Sequence, residues 1–169
     1  MPSQTVKGQV VKTAKHLSGR EKQVLKLLGE GKSLRQIGKL LKLSESSAYE
    51  YGERLKRKLG AANMHQLIRL AVLSVPRLVP RVYDVTQTLT SRERQVVDLI
   101  GEGKRAVEIA KQLRLSPKTI YEFCTRAKSK LRAANFHQFI CIAVLWREGA
   151  LRLRKTNEWR YNLRGPSAR

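Results

Sequence analysis

The sequence predicts an all-α fold made of two tandem four-helix domains joined by a proline-containing linker. Three observations predict it. First, residues 17–73 return without a gap as residues 89–145, an offset of 72, with 30 of the 57 aligned positions identical. That period is too long for a solenoid repeat and fits duplication of one small foldable unit. Second, apolar residues recur at helical spacing through both copies, and no strand-period stretch of length interrupts them. Third, helix-start and helix-stop residues fall at matching places in the two copies.

Each helix has its own signals. Ser18 with Glu21, and Thr90 with Glu93, read as S/T-x-x-E capping boxes that open a first helix. Val24, Leu27 and Leu28 give it an apolar face, as do Val96, Leu99 and Ile100 in the second copy. Gly31 and Gly103 end it, because glycine accepts the left-handed conformation beyond a helix C-terminus. A short second helix spans 34–41 and about 106–113, with Ile37, Leu41, Ile109 and Leu113 turned inward. Ser44 and Ser116 then cap a third helix, in which Pro117 takes the first position, where its missing N–H costs nothing. This helix runs to about Leu59 and Leu131 and buries Ala48, Gly52, Leu55 and Leu59, or Ile120, Cys124, Ala127 and Leu131.

Asn63 with Gln66, and Asn135 with Gln138, start a fourth helix. It is apolar on more sides than one domain needs. Leu67, Leu70 and Leu73, with Phe139, Ile142 and Leu145, are therefore candidate interface residues, toward the other repeat or a second chain.

The resulting division is a basic N-terminal arm at 1–16, a first domain at 17–73, a linker at 74–88, a second domain at 89–145 and a basic tail at 146–169. Pro76 and Pro80 favour an extended, fairly stiff linker. The arm and the tail from about 152 are expected to be disordered. Trp159 and Tyr161, set among Arg154, Lys155, Arg160 and Arg164, are candidates for stacking on bases or packing back on the domain, against a simple solvated tail.

The formal net charge is +22, distributed as +3, +7, +1, +6 and +5 over those five segments. Self-repulsion of that size calls for an anionic partner, and nucleic acid is the usual one. No segment is a basic amphipathic helix with a strong aromatic face, which argues against a membrane surface. The run from Phe139 to Trp146 is too short to span a bilayer, and the N-terminus has no signal-peptide core. Cys124 and Cys141 have no counterparts in the first copy, so they suggest small core fillers in a reducing compartment, not a disulfide framework. A cytoplasmic, nucleoid-associated location is expected.

A short helix, a tight turn and a capped longer helix form a helix-turn-helix. The segments LTSRERQVVDLIGEG, EIAKQLRLSPKTIYEF and KLRAANFHQ, and LSGREKQVLKLLGEGKSLRQIGKLLKLSESSAYEY in the first copy, resemble the LuxR/GerE-type DNA-binding domain of bacterial regulators. The resemblance covers both repeats, and sigma-factor region 4 shares the same helical plan. It implies that the third helix enters the major groove of double-stranded DNA and that its N-terminal half reads bases. Where the family pattern reads K-T-V-K-x-H, the second copy has Lys118, Thr119, Ile120, Tyr121, Glu122 and Phe123. The first has Ser46, Ser47, Ala48, Tyr49, Glu50 and Tyr51, so the usual cationic base reader is absent from both.

The candidate DNA-binding residues are Ser46, Ser47, Tyr49, Glu50, Glu53, Arg54 and Lys58 in the first copy. Lys118, Thr119, Tyr121, Glu122, Thr125, Arg126 and Lys130 are their counterparts in the second. Glu50 and Glu122 suit the cytosine amino group, and Tyr49 and Tyr121 suit bases or phosphates. Arg54, Arg126, Lys58 and Lys130 are candidates for phosphate, which sets register without carrying sequence information. A carboxylate near phosphates is otherwise repelled, and the alternative is a protein-facing surface. His65 and His137 lack the Cys or acidic neighbours of a metal site and suit a capping or interface role.

No phosphate loop, acidic metal cluster or nucleophile–histidine pair is present, so neither an enzyme nor a cofactor is expected. The leading expectation is a sequence-specific transcription regulator reading two half-sites. The alternatives are an architectural DNA-coating protein and an adaptor that binds RNA polymerase or another regulator through its altered helices. Pairing through the fourth helices, within the chain or between chains, is expected in the first case.

Overall fold

A computed structural model describes residues 16–74, 81–85 and 88–155. The first repeat forms α1 (Gly19–Gly29), α2 (Leu34–Leu41), α3 (Glu45–Leu59) and α4 (Met64–Ser74). The strand β1 (Arg81–Val85) follows, then α5 (Ser91–Gly101), α6 (Ala106–Leu113), α7 (Pro117–Lys130), α8 (Phe136–Arg147) and the strand β2 (Leu151–Lys155). The architecture is all-α with two four-helix bundles, supplemented by one parallel strand pair that aligns Arg81 with Leu151 and Val85 with Lys155.

That pair corrects the expectation of a disordered tail from about residue 152. The segment Leu-Arg-Leu-Arg-Lys alternates apolar and basic residues with strand period, but five residues are too few to register as a strand pattern. Linker residues 75–80 and 86–87, most of the N-terminal arm and the tail beyond 155, with Trp159 and Tyr161, lie outside the described residues.

Capping fixes where the helices begin. The hydroxyls of Ser18 and Thr90 each accept from the amide three residues on, while the Glu21 and Glu93 carboxylates accept from the cap amides at 2.7 and 2.8 Å. Asn63 and Asn135 accept from the Gln66 and Gln138 amides, and the same glutamine side chains reach back to accept from the amides of Ala62 and Ala134. The start of α2 carries a further box, Ser33 with Gln36, that sequence reading passed over.

The two bundles reach the same shape with different residues. Gly52 in α3 faces Leu34 in α2, and a methyl added at Gly52 would lie 3.2 Å from Leu34 Cδ1. The corresponding residues of the second repeat are Cys124 and Ala106, so volume lost on one helix is supplied by the other. Ala48 with Leu55, against Ile120 with Ala127, repeats the exchange along the same helix face. Leu34→Ala is expected to cost about 2–4 kcal/mol by leaving a cavity. Adding Gly52→Cys should recover part of it, a coupling of about 1 kcal/mol in a urea-unfolding double-mutant cycle. Strictly additive costs would show that the two positions do not share volume.

The bundles also pack on each other, through α4 and α8. Ile68, Val72 and Leu73 join the buried cluster of the second repeat. Leu67, expected at this interface, instead lies in the core of its own repeat with Leu70 beside it. The reason is helical spacing, since 68 and 72 share a face that 67 and 71 do not. Phe139, Ile142 and Leu145 are all buried in the second cluster.

Around this seam the contacts are nearly reciprocal. Gly31, after α1, sits against Gln138 of α8, and Gly103, after α5, sits against Gln66 of α4. Asn135 donates to Gln36 Oε1 at 3.4 Å, the Cys141 thiol donates to the Leu28 carbonyl at 3.4 Å, and Arg69 approaches Glu148 at 3.8 Å. His65 meets Phe136 edge-on at 5.6 Å between ring centroids. Burial holds the His65 imidazole down to about 4, helped by nearby His137 and Arg105 and opposed by Glu108. It is therefore neutral at pH 7, and its uncharged ring packs against Phe136 at the seam.

Candidate nucleic-acid interface

Each helix-turn-helix is built from α2 and α3, or α6 and α7. The turn passes through Lys42 and Arg114, both left-handed with φ of 53° and 55°. The amides of Leu43 and Leu115 close it by donating to the Gly38 and Ala110 carbonyls at 2.8 and 3.0 Å. Ser44 and Ser116 then cap the longer helix, accepting from the Ser47 and Thr119 amides. The hydroxyls of Ser47 and Thr119 also bond to these caps at 2.8 Å, so both candidates help start the helix.

Burial of Ile120, Cys124 and Ala127 turns the opposite side of α7 outward. There Lys118, Tyr121, Glu122, Thr125 and Arg126 line one open concavity. Their positions follow the i, i+3, i+4, i+7, i+8 spacing of a single helix face. The same face of α3 presents Ser46, Tyr49, Glu50, Glu53 and Arg54, all exposed. Ten of the fourteen sequence-predicted residues are thus gathered on two stripes of opposite balance, and Ser47, Thr119, Lys58 and Lys130 lie off them. Lys118 and Arg126 outweigh Glu122 in α7, whereas Glu50 and Glu53 outweigh Arg54 in α3.

On each stripe the arginine is held twice. Arg54 lies 3.4 Å from Glu50 and 5.5 Å over the Tyr51 ring. Arg126 lies 4.0 Å from Glu122 and 5.0 Å over the Phe123 ring. Sequence reading passed over Tyr51 and Phe123 in this role, although their three-residue spacing from the arginines was the available signal.

Lys58 and Lys130 are placed differently. Each points back to a capping-box carboxylate, Glu21 or Glu93, at 2.8 Å. The hydrogen bond from Lys58 pulls the Glu21 carboxyl below its ordinary range against the opposing effect of burial. At Glu93 burial is the largest influence and pushes upward, but Lys130 and the Thr90 amide together outweigh it and the net shift is down.

Two stretches, residues 15–71 and 87–143, match the family described as bacterial regulatory proteins, luxR family, and together they cover about two thirds of the sequence. The chain belongs to the LuxR family. The matched stretches contain both four-helix bundles except for the last residues of α4 and α8. The family is one of regulators, not enzymes, and the chain carries its helix-turn-helix twice.

This LuxR-family chain is 40% identical over 82 residues to the transcriptional activator protein SolR of Ralstonia solanacearum, covering 47% of the chain and 35% of SolR. It is 32% identical over 60 residues to the transcriptional regulatory protein DesR of Bacillus subtilis, covering 36% of the chain and 30% of DesR. The chain thus spans about a third of the length of these relatives. No solved structure matches it significantly. Among the described residues, no group of His, Cys, Asp or Glu is placed to hold a metal ion, and no helix is long and apolar enough to cross a membrane.

Proposed function

We propose that the chain is a sequence-specific regulator that binds double-stranded DNA in the major groove with α3 and α7 and reads two half-sites at once. The observation that carries this reading is the packing of α4 on α8, which joins two LuxR-family units into one body. One such unit makes few contacts, and linkage makes the second binding event intramolecular at roughly millimolar effective concentration. The half-sites lie about one helical turn, ~10 bp, apart. They need not match, because Ser46 and Glu53 stand where the second repeat has Lys118 and Thr125. The net charge of +22 supplies the sequence-independent attraction.

A second reading has its own support. The acidic balance of the α3 stripe suits a basic protein surface better than phosphate, so the first repeat is an alternative docking site for RNA polymerase or another regulator.

Selection from random duplexes at about 150 mM salt, followed by gel shift of the enriched pool, tests both. A two-element motif preferred by roughly a thousandfold over other duplexes is expected. A motif with a single element points to the docking role for the first repeat. Equal binding to every duplex overturns sequence-specific reading.

A further inference from the structure

The two exposed stripes differ at two of five positions but share the other three, Tyr-Glu and Arg, and each keeps an aromatic ring under the arginine. Tyr51 and Phe123 are half-buried and pack on the cores of their own repeats. A glutamate and an arginine four residues apart on an exposed helix face ordinarily add only a few tenths of a kcal/mol, so the recurrence of that exposed pair over the rings needs a reason of its own.

The chemistry of the major groove supplies one. A carboxylate only accepts, and the groove offers it amino groups on cytosine and adenine alone. A guanidinium only donates, and its fork matches the two acceptors of guanine, O6 and N7. Glu50 beside Arg54, and Glu122 beside Arg126, thus present an acceptor next to a double donor. The edge of a G·C pair has the inverse arrangement, with the cytosine amino group next to guanine O6 and N7. An A·T pair provides an amino group too, but thymine offers one acceptor and a methyl group where a guanidinium would sit. The pair also answers the problem of a carboxylate near phosphates, because the neighbouring arginine neutralises it.

Arg54 donates from Nη2 to Glu50 Oε2 at 3.4 Å and Arg126 donates from Nε to the Glu122 carbonyl at 3.5 Å, so each guanidinium, with five N–H groups, keeps other donors for a base. The guanidinium carbons lie 5.5 and 5.0 Å over the Tyr51 and Phe123 rings, contacts that restrict where those donors can reach. The geometry points to Glu50–Arg54 and Glu122–Arg126 as two equivalent readers of a G·C pair, one in each half-site, with Tyr51 and Phe123 as positioning residues. Sequence differences between the half-sites then arise beside this shared pair, from Ser46 against Lys118 and Glu53 against Thr125.

This inference rests on the DNA-reading function proposed above, and the test keeps the two apart. Selection from random duplexes is run on the full chain and on Glu122→Gln, an exposed position where glutamine preserves shape. The parent motif is expected to hold a G·C pair at equivalent places in both halves. Glutamine keeps an acceptor but loses the charge and adds a donor, while Arg126 still suits guanine, so Glu122→Gln should weaken the preference for G·C at one of those pairs and leave the other. Phe123→Leu should lower the preference for the G·C pair in the same half about tenfold, and Phe123→Tyr, which copies Tyr51, should restore it. A two-element motif without the repeated G·C pair, or one unchanged by Glu122→Gln, overturns the assignment while leaving DNA reading intact. No motif from the parent chain overturns both.

Discussion

Gly31→Ala is expected to destabilise the protein by about 2–5 kcal/mol and to loosen one repeat from the other. Two costs combine. Gly31 has φ of +82°, and an alanine there pays roughly 1–2 kcal/mol for the left-handed conformation. Its methyl would also lie 2.8 Å from the Cα of Gln138, backbone of α8 in the other repeat, and overpacking of this kind costs about 1–3 kcal/mol. Two further glycines separate the contributions. Gly103 has φ of +91°, but its nearest neighbour is Gln66 Cγ at 2.9 Å, a side chain with some freedom to move. Gly60 has φ of +66° and nothing within 4 Å. Urea unfolding of the three alanine variants should rank the losses Gly31, Gly103, Gly60, the last at about 1 kcal/mol. Equal losses would mean that conformation alone matters and that the seam between the repeats is not closely packed.

The same residue shows why the fold was legible and the seam was not. Gly31 and Gly103 end their helices in the left-handed conformation, a local property that sequence states directly. Their contact with the other repeat depends on which face of α4 is turned outward, and an all-round apolar helix does not state that. Sequence alone therefore places Leu67 at the interface, whereas Ile68 and Val72 occupy it. The strand at 151–155 escaped notice because its partner lies 70 residues earlier and five alternating residues make no pattern of their own.

The exposed stripes were legible for the opposite reason. Once Ala48, Gly52 and Leu55, or Ile120, Cys124 and Ala127, are assigned inward, helical geometry leaves Tyr49, Glu50 and Arg54, or Tyr121, Glu122 and Arg126, on the other side. Lys58 and Lys130 fall outside that logic. Their partners, Glu21 and Glu93, lie 37 residues earlier in sequence. Only the recurrence of the same Glu–Lys spacing in both repeats hinted that the two lysines close the bundle.

Lys130→Met supplies the decisive contrast between a structural lysine and a phosphate contact. Glu93 is 3% exposed and Lys130 19%, so removing the ammonium leaves a buried carboxylate with only its capping bonds. Breaking a buried pair from one side costs about 3–5 kcal/mol, and the partial exposure of Lys130 brings the expected loss to about 2–4 kcal/mol at pH 7. The sign with pH follows from Glu93. Its folded-state carboxyl is held below the ordinary value, so the stability it contributes is present above the unfolded-state value and is lost as pH falls through the folded one. In Lys130→Met the upward push of burial is opposed only by the cap, and the Glu93 carboxyl titrates higher. The difference between parent and variant should therefore be largest at neutral pH and shrink as pH falls through the variant's folded-state value, closing only below the parent's depressed one, where the carboxyl is neutral in both. Thermal unfolding at pH 7 and pH 4 measures this directly, and adding Glu93→Gln should recover much of the loss at pH 7. Lys58→Met should cost less, since Lys58 is 46% exposed and its pairing with Glu21 is better screened. If Lys130→Met leaves stability unchanged at both pH values but lowers the salt slope of duplex binding by about one unit, Lys130 faces phosphate and its bond to Glu93 is incidental.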